Sequence, residues 1–301
     1  MSIALKMVKK NWQLYMIILP SLIYLIIFKY VPMVGVQIAF KNYVVTKGIW
    51  GSDWIGFKHF VDFFHLPIFW RVIKNTALLS LYSLLVGFPA PIILALALNE
   101  LKNGIFKRTV QLVTFAPYFI STVIMVSIIM LFLSPELGFV HILADKFGFP
   151  AENVMSKPAY FKTVYVLSDV WQFTGYASVI YIAALAGVDP HLYEAAKVDG
   201  ATRFQRMRHI DWPSLRPTAV ILLILNAGQI MNVGFEKVYL MQNAINVGAS
   251  EVISTYVYKM GLVGANFSFS AAVGLFNSIV NLLLLIVVNY VARKNSETSL
   301  W

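Results

Sequence analysis

The chain has no cysteine, so disulfides and thiolate metal sites are excluded and cysteine usage carries no information about redox compartment. Charge is scarce as well. Asp, Glu, Lys and Arg make up 13% of the 301 residues while 59% are hydrophobic, far from the fractions usual for a soluble domain. Acidic residues are the scarcer sign, 14 against 24 Lys and Arg, for a net charge of +10. The basic residues are dispersed between apolar runs and form no stripe or arm, so a membrane surface accounts for them better than nucleic acid does. There is no Gly-x-x-x-x-Gly-Lys-Ser/Thr phosphate loop, which excludes the usual way of binding ATP. The histidines (His59, His65, His141, His191, His209) are scattered, so no metal site is expected and a membrane enzyme is poorly supported.

What the chain does have is long uncharged stretches. Residues 11–28, 75–99, 109–135, 217–235 and 267–292 lack Asp, Glu, Lys and Arg, and 163–188 is interrupted only by Asp169. Each approaches or exceeds the ~18–20 residues that cross a hydrocarbon core. The expected architecture is an all-α integral membrane protein, a six-helix transmembrane bundle in a single domain, 1–301. Its spans fall near 12–38, 72–98, 109–133, 161–188, 217–236 and 267–292. The first follows Lys6, Lys9 and Lys10 without a small-residue cleavage site and reads as a retained signal anchor. With both termini cytoplasmic, six of the seven arginines (Arg108, Arg203, Arg206, Arg208, Arg216, Arg293) lie inside, as the positive-inside rule requires. Pro89 and Pro91 are expected to bend the second span, the first can kink at Pro20, and the third carries Pro117. The external segment before Arg71 is rich in aromatics (Tyr43, Trp50, Trp54, Phe57, Phe60, Phe63, Phe64, Trp70) and suits either headgroup anchoring or partner docking. Pro135, Gly138, Gly148, Pro150 and Pro158 punctuate a second external loop.

The longest cytoplasmic loop, 189–216, carries unusually legible local signals. Asp189 is a good N-cap, Pro190 suits the first helical position and Gly200 a left-handed stop, so a short helix is predicted over 190–199. Thr202 and Gln205 have the spacing of a capping box, and Pro213 after Trp212 is expected to close a second helix. The first helix places Leu192, Tyr193, Ala195, Ala196 and Asp199 along much of one side. The second presents Phe204, Met207 and Ile210. Such an element packs on its own spans, lies in the headgroups, or meets another protein.

Glu194-Ala195-Ala196, three residues, Gly200, nine residues, Ile210, one residue and Pro213 resembles the EAA loop of ATP-binding cassette importer permeases. Trp212 stands where that pattern has Leu. Leu-Pro-Ser-Leu-Ile-Tyr at 19–24, Phe-Lys-Asn-Tyr at 40–43, Gly-Phe-Glu-Lys-Val-Tyr at 234–239 and Thr-Tyr-Val-Tyr at 255–258 are similar to the LplB-like branch of maltose-transporter-type sugar permeases. The resemblance implies the importer type I permease fold and a cargo of oligosaccharide or polysaccharide fragments. It implies that Glu194, Ala195, Ala196, Asp199 and Gly200 form the contact and turn of a coupling helix, with Ile210 and Pro213 fixing it on the membrane domain. The partners it implies are a similar second permease subunit in a heterodimer, two ATPase subunits that bind ATP and Mg, and an extracellular solute-binding lipoprotein. This chain would bind no cofactor. A permease for a non-sugar solute is the alternative; a secondary transporter would leave the capped loop unexplained.

A sugar path needs hydroxyl-bonding groups and flat apolar faces inside the bundle. Candidates are Asn226, Gln229, Asn232 and Glu236, expected on one helix face of the fifth span. Asp169, Trp171, Gln172 and Tyr176 come from the fourth, and Asn277, Ser278 and Asn281 from the sixth. Polar groups are costly in lipid, so these should turn inward; bonding to neighbouring helices would serve equally well. Residues 239–266 form an external loop suited to reaching toward the sugar or the binding protein.

Overall fold

The computed structural model describes residues 10–148 and 153–295. Lys6, Lys9 and Pro150, used above, lie outside the described residues. The chain divides into two compact units, one of Met1–Leu66 with Val257–Phe276 and one of Pro67–Tyr256 with Asn277–Trp301.

In the first unit, helical run α1 (Trp12–Phe40) carries Pro20 within its regular opening turns, widens to a π-helical turn at Ile26–Tyr30, and tightens to a 3-10 helix over Val34–Phe40. Pro32 has no N–H to offer the Phe28 carbonyl, and the wide turn sits just ahead of it. Residues Trp12–Leu25 are all exposed. After α1, strand β1 (Lys41–Asn42) pairs antiparallel with β2 (Asp53–Trp54), Lys41 opposite Trp54. Rings close the unit: Phe40 stacks on Trp54 at 5.7 Å and meets Phe57 edge-on at 5.4 Å, and buried Phe63 meets the edges of Phe269 and Phe276. Part of the aromatic set is thus internal packing, while Trp50 and Phe57 keep most of their surface exposed.

The second unit is built on α2 (Phe69–Glu100), the broken pair α3 (Ile105–Phe119) and α4 (Thr122–Phe132), and α5 (Pro158–Ala186). Short helix α6 (Pro190–Val198), α7 (Trp212–Ala227) and the later part of α8 (Phe267–Asn295) complete it. Leu79, Val126, Phe161, Val166, Val238 and Met241 form one buried cluster, and Ile92, Ala95, Tyr181, Leu185, Leu215 and Ala219 another. Helix α2 keeps helical backbone through Phe88 into Pro89, because a proline in the first turn of the following segment forfeits little.

Three stretches differ from the straight spans expected. Residues 109–133 bend by 104° between α3 and α4. Pro117 sits in a tight turn there, the Ile120 backbone is extended, and the Ser121 hydroxyl accepts the Ile124 N–H to start α4. Pro213 does not close a helix. A short helix from Arg203 runs through a π-helical turn, Met207–Asp211, straight into α7, with Pro213 in the first turn, where its missing N–H matters least. Residues 217–236 are helical only to Ala227; 228–231 are turns and 232–234 irregular, followed by the short helix Phe235–Met241. Among the described residues, three helices are long and apolar enough to cross a membrane, or five if each bent pair counts as one crossing.

Helix α5 passes the bend at contact distance. A Cβ on Gly175 would overlap the Thr114 carbonyl of α3, so this crossing admits glycine only. Gly175→Leu is therefore expected to cost about 2–3 kcal/mol and lower the thermal midpoint of the purified protein. Gly187→Ala, whose new methyl would make an ordinary contact with Ala184, should leave that midpoint unchanged.

Candidate functional site

The loop after α5 turns by 75° into α6. The capping signals perform their expected tasks. The Asp189 carboxylate accepts the His191 N–H at 2.9 Å, Pro190 occupies the first helical position, and Gly200 stops the helix at φ +69°. The capping box is complete: Gln205 N donates to the Thr202 hydroxyl, and Thr202 N donates to Gln205 Oε1 at 2.7 Å. These constraints produce a rigid, outward-facing element. Glu194, Ala195, Asp199 and Gly200 are exposed and Ala196 is half-buried, while the apolar Leu192, Val198 and Phe204 keep 51%, 88% and 69% of their surface.

The loop is tied to the end of α2 by residues that the sequence reading had not assigned to that task. Tyr193 donates its hydroxyl proton to Asp211 Oδ1 at 2.6 Å, and Asn99 Nδ2 donates to the same oxygen at 3.3 Å. Arg206 pairs with Glu100 at 3.0 Å. Burial and the Asp211 contact push the Tyr193 phenol up to about 12, so it stays a neutral donor across the physiological range. Ile210 is half-buried and Pro213 exposed.

A second feature is a cavity of about 420 Å³ between α2, α5 and the end of α7. Four of the proposed path residues line it: Asp169, Asn226, Gln229 and Asn232. Ser80, Ser83 and Thr174 join them, each with a buried hydroxyl lacking a hydrogen-bond partner among the described residues, and Phe88, Phe173, Tyr165 and Tyr181 supply ring surface. Gln229 and Asn232 reach the cavity from the turns after α7, not from a shared helical face, so the expected face does not exist. Its cause is a bond from a distant element: Met231 N donates to Asn281 Oδ1 across to α8 instead of continuing a helix.

The other candidates stand elsewhere. Gln172 is buried and donates to the Ile120 carbonyl at the α3–α4 break, Tyr176 stacks on Tyr118 at 3.8 Å, and Asn277 and Asn281 both donate to Asn232 Oδ1. Trp171 lines an apolar groove with Ile128, Phe132 and Leu167. Glu236 is exposed, whereas its neighbour Lys237 is buried and pairs with Asp169 at 3.2 Å, its ammonium 5.1 Å from the Tyr165 ring. The buried Lys237 was the missed partner; an Asp deep in an apolar run needs a cation, and the loop beyond the next span supplied one.

Comparison with known proteins adds to this geometry. Residues 87–297 match the family model described as binding-protein-dependent transport system inner membrane component. The chain is 43% identical to Protein LplB of Bacillus subtilis (strain 168), over 97% of its length and 92% of the relative's. It is 42% identical to the polygalacturonan/rhamnogalacturonan transport system permease protein YteP of the same organism, over 99% and 92%. Its structure is similar, at TM-score 0.90 and 39% identity over 97% of this chain and 99% of the other, to a chain of a bacterial ABC transporter involved in the import of the acidic polysaccharide alginate. A structure of bacterial alginate ABC transporter in complex with alginate pentasaccharide-bound periplasmic protein matches equally well, over 98% and 99%.

Removing one partner of the Lys237–Asp169 pair strands a charge in the bundle. Lys237→Met is expected to lower stability by about 3 kcal/mol, near the low end for buried pairs because Asp169 keeps a third of its side chain exposed. Adding Asp169→Asn should recover most of that loss, as read by thermal unfolding of the purified protein.

Proposed function

We propose, because this chain belongs to the family of binding-protein-dependent transport system inner membrane components, that it is the permease subunit of an ATP-binding cassette importer for oligosaccharide or polysaccharide fragments. It resides in the membrane and is a transport subunit, not an enzyme. The observation that carries the reading is α6: a helix capped at both ends, exposed over most of its length, and joined at Gly200 to a second helix that continues directly into α7. The glycan cargo is supported by near full-length similarity to a permease named for polygalacturonan/rhamnogalacturonan transport and to an alginate importer.

In this reading the chain crosses the cell membrane six times with both termini cytoplasmic. It pairs with a similar second permease, two ATPase subunits hold ATP and Mg, and an extracellular lipoprotein delivers the sugar. The alginate transporter's complex with a periplasmic protein supports that last partner. Glu194, Ala195, Ala196, Asp199 and Gly200 meet the ATPase, where the alanines allow close approach, while Ile210 and Pro213 seat the loop. Closure of the ATPases pushes α6 as a rigid body, and α5 and α7, joined to its two ends, tilt with it. The cavity offers a dehydrating glycan hydroxyls and amides in exchange for water, with ring faces to pack on.

Two measurements check this. Ala196→Trp is expected to leave the chain in the membrane yet cut uptake about tenfold, equivalent to ~1.4 kcal/mol of coupling. Uptake at the unsubstituted level, with ATPase subunits still co-purifying, would refute the assignment of α6. For the path, transport of labelled galacturonan and alginate fragments by cells should fall in Gln229→Ala and stay near normal in Trp171→Ala, which faces the apolar groove.

A further inference from the structure

Asp211 is fully buried in a loop whose other residues are mostly exposed or half-buried. One of its carboxyl oxygens gathers two donors from two elements, the Tyr193 hydroxyl of α6 at 2.6 Å and the Asn99 amide in the last turn of α2 at 3.3 Å. Asn99 and Tyr193 also lie 3.5 Å apart, closing a three-membered ring of contacts. Its other oxygen is buried without a hydrogen-bond partner among the described residues, an arrangement that stability alone does not favour. The placement is specific to the π-helical turn Met207–Asp211. One extra residue in that turn swings Asp211 toward α2, where a regular α-helix would aim it elsewhere. Beside it, Arg206 and Glu100 tie the same elements at 3.0 Å.

We propose that Asp211 is a positioning residue that makes the cytoplasmic end of α2 move as one body with α6 and the start of α7. This rests on the reading of α6 as the ATPase-facing helix and deepens it. Chain connectivity alone would pass the push from α6 to α5 and α7. The Asp211 clasp adds α2, which lines the cavity through Ser80, Ser83, Phe88 and Pro91, so the drive stroke reaches a wall of the cavity that is remote in sequence from the driven helix. The carrier is a contiguous chain of packed polar groups, and substitutions in such chains alter coupling by roughly two- to thirtyfold.

The absence of cysteine makes the test clean, since introduced thiols are the only ones in this chain. Spin labels on Lys102→Cys and Arg208→Cys, both exposed, report the distance between the end of α2 and the loop in the assembled transporter with its ATPase subunits in lipid nanodiscs. The nucleotide-free and vanadate-trapped states are compared. With the clasp intact, the distance is expected to stay the same in both states. With Asp211→Asn, and independently with Tyr193→Phe, trapping should shift or broaden it by about 2 Å or more, at unchanged ATPase co-purification. A distance that already changes on trapping in the unsubstituted loop, or variants that behave as it does, would overturn the proposal. If no ATPase subunit co-purifies with the unsubstituted chain, the reading of α6 fails instead, a separate and distinguishable result.

Discussion

The structure depends on one constraint: a backbone polar group in hydrocarbon has no water to turn to, so wherever a helix breaks, something in the protein must take over the freed group. Two breaks in this chain obey it visibly. At the α3–α4 bend the Ile120 carbonyl is taken by Gln172 Nε2, reaching from α5. Past the end of α7 the Met231 amide is taken by Asn281 Oδ1, reaching from α8. Each repair fixes where the broken chain can lie. The first holds α5 so close to α3 that Gly175 has no room for a side chain, and the second presents Gln229 and Asn232 to the cavity.

Seen this way, the polar residues within the apolar runs divide into two groups by what they touch. Gln172, Asn277 and Asn281 mend or fasten backbone and neighbouring side chains. Ser80, Ser83, Thr174, Asn226 and Gln229 open onto the cavity, several with hydroxyls that have no other use within the described residues. Asp169 belongs to both groups, since Lys237 compensates it from behind while it lines the cavity in front. A carboxylate so compensated presents hydrogen-bond acceptors to the cavity without a full uncompensated charge.

Much of this was legible in the sequence. The membrane character followed from scarce charge and long uncharged runs, and the loop at 189–205 could be read residue by residue because capping is a local affair: Asp189, Pro190, Gly200, Thr202 and Gln205 act within four positions of themselves. The bends were harder. The run through Ile120 stays uncharged, and Gln229 and Asn232 after Ala227 read equally well as the polar face of a continuing helix, so where each helix stops is fixed with the help of Gln172 and Asn281, fifty residues or so away in sequence. The same holds for the clasp at Asp211, whose partners Asn99 and Tyr193 no periodicity could have joined to it. Pro213 misled for a related reason. The wide π-helical turn Met207–Asp211 lies just ahead of it, so helical backbone runs on from Arg203 through the proline into α7.

The wide turn at Met207–Asp211 fixes something surface loops normally leave free, their length. Each residue added to or taken from a helix rotates everything beyond it by about 100°. A second extra residue there, beyond the one the π-helical turn already absorbs, would spin α7 about its axis relative to α6, and dropping the first would take Asp211 away from α2. The number of residues between Gly200 and Pro213 is therefore set by angular registry, and a segment exposed enough to look tolerant of insertion is in effect a gear with a fixed count of teeth.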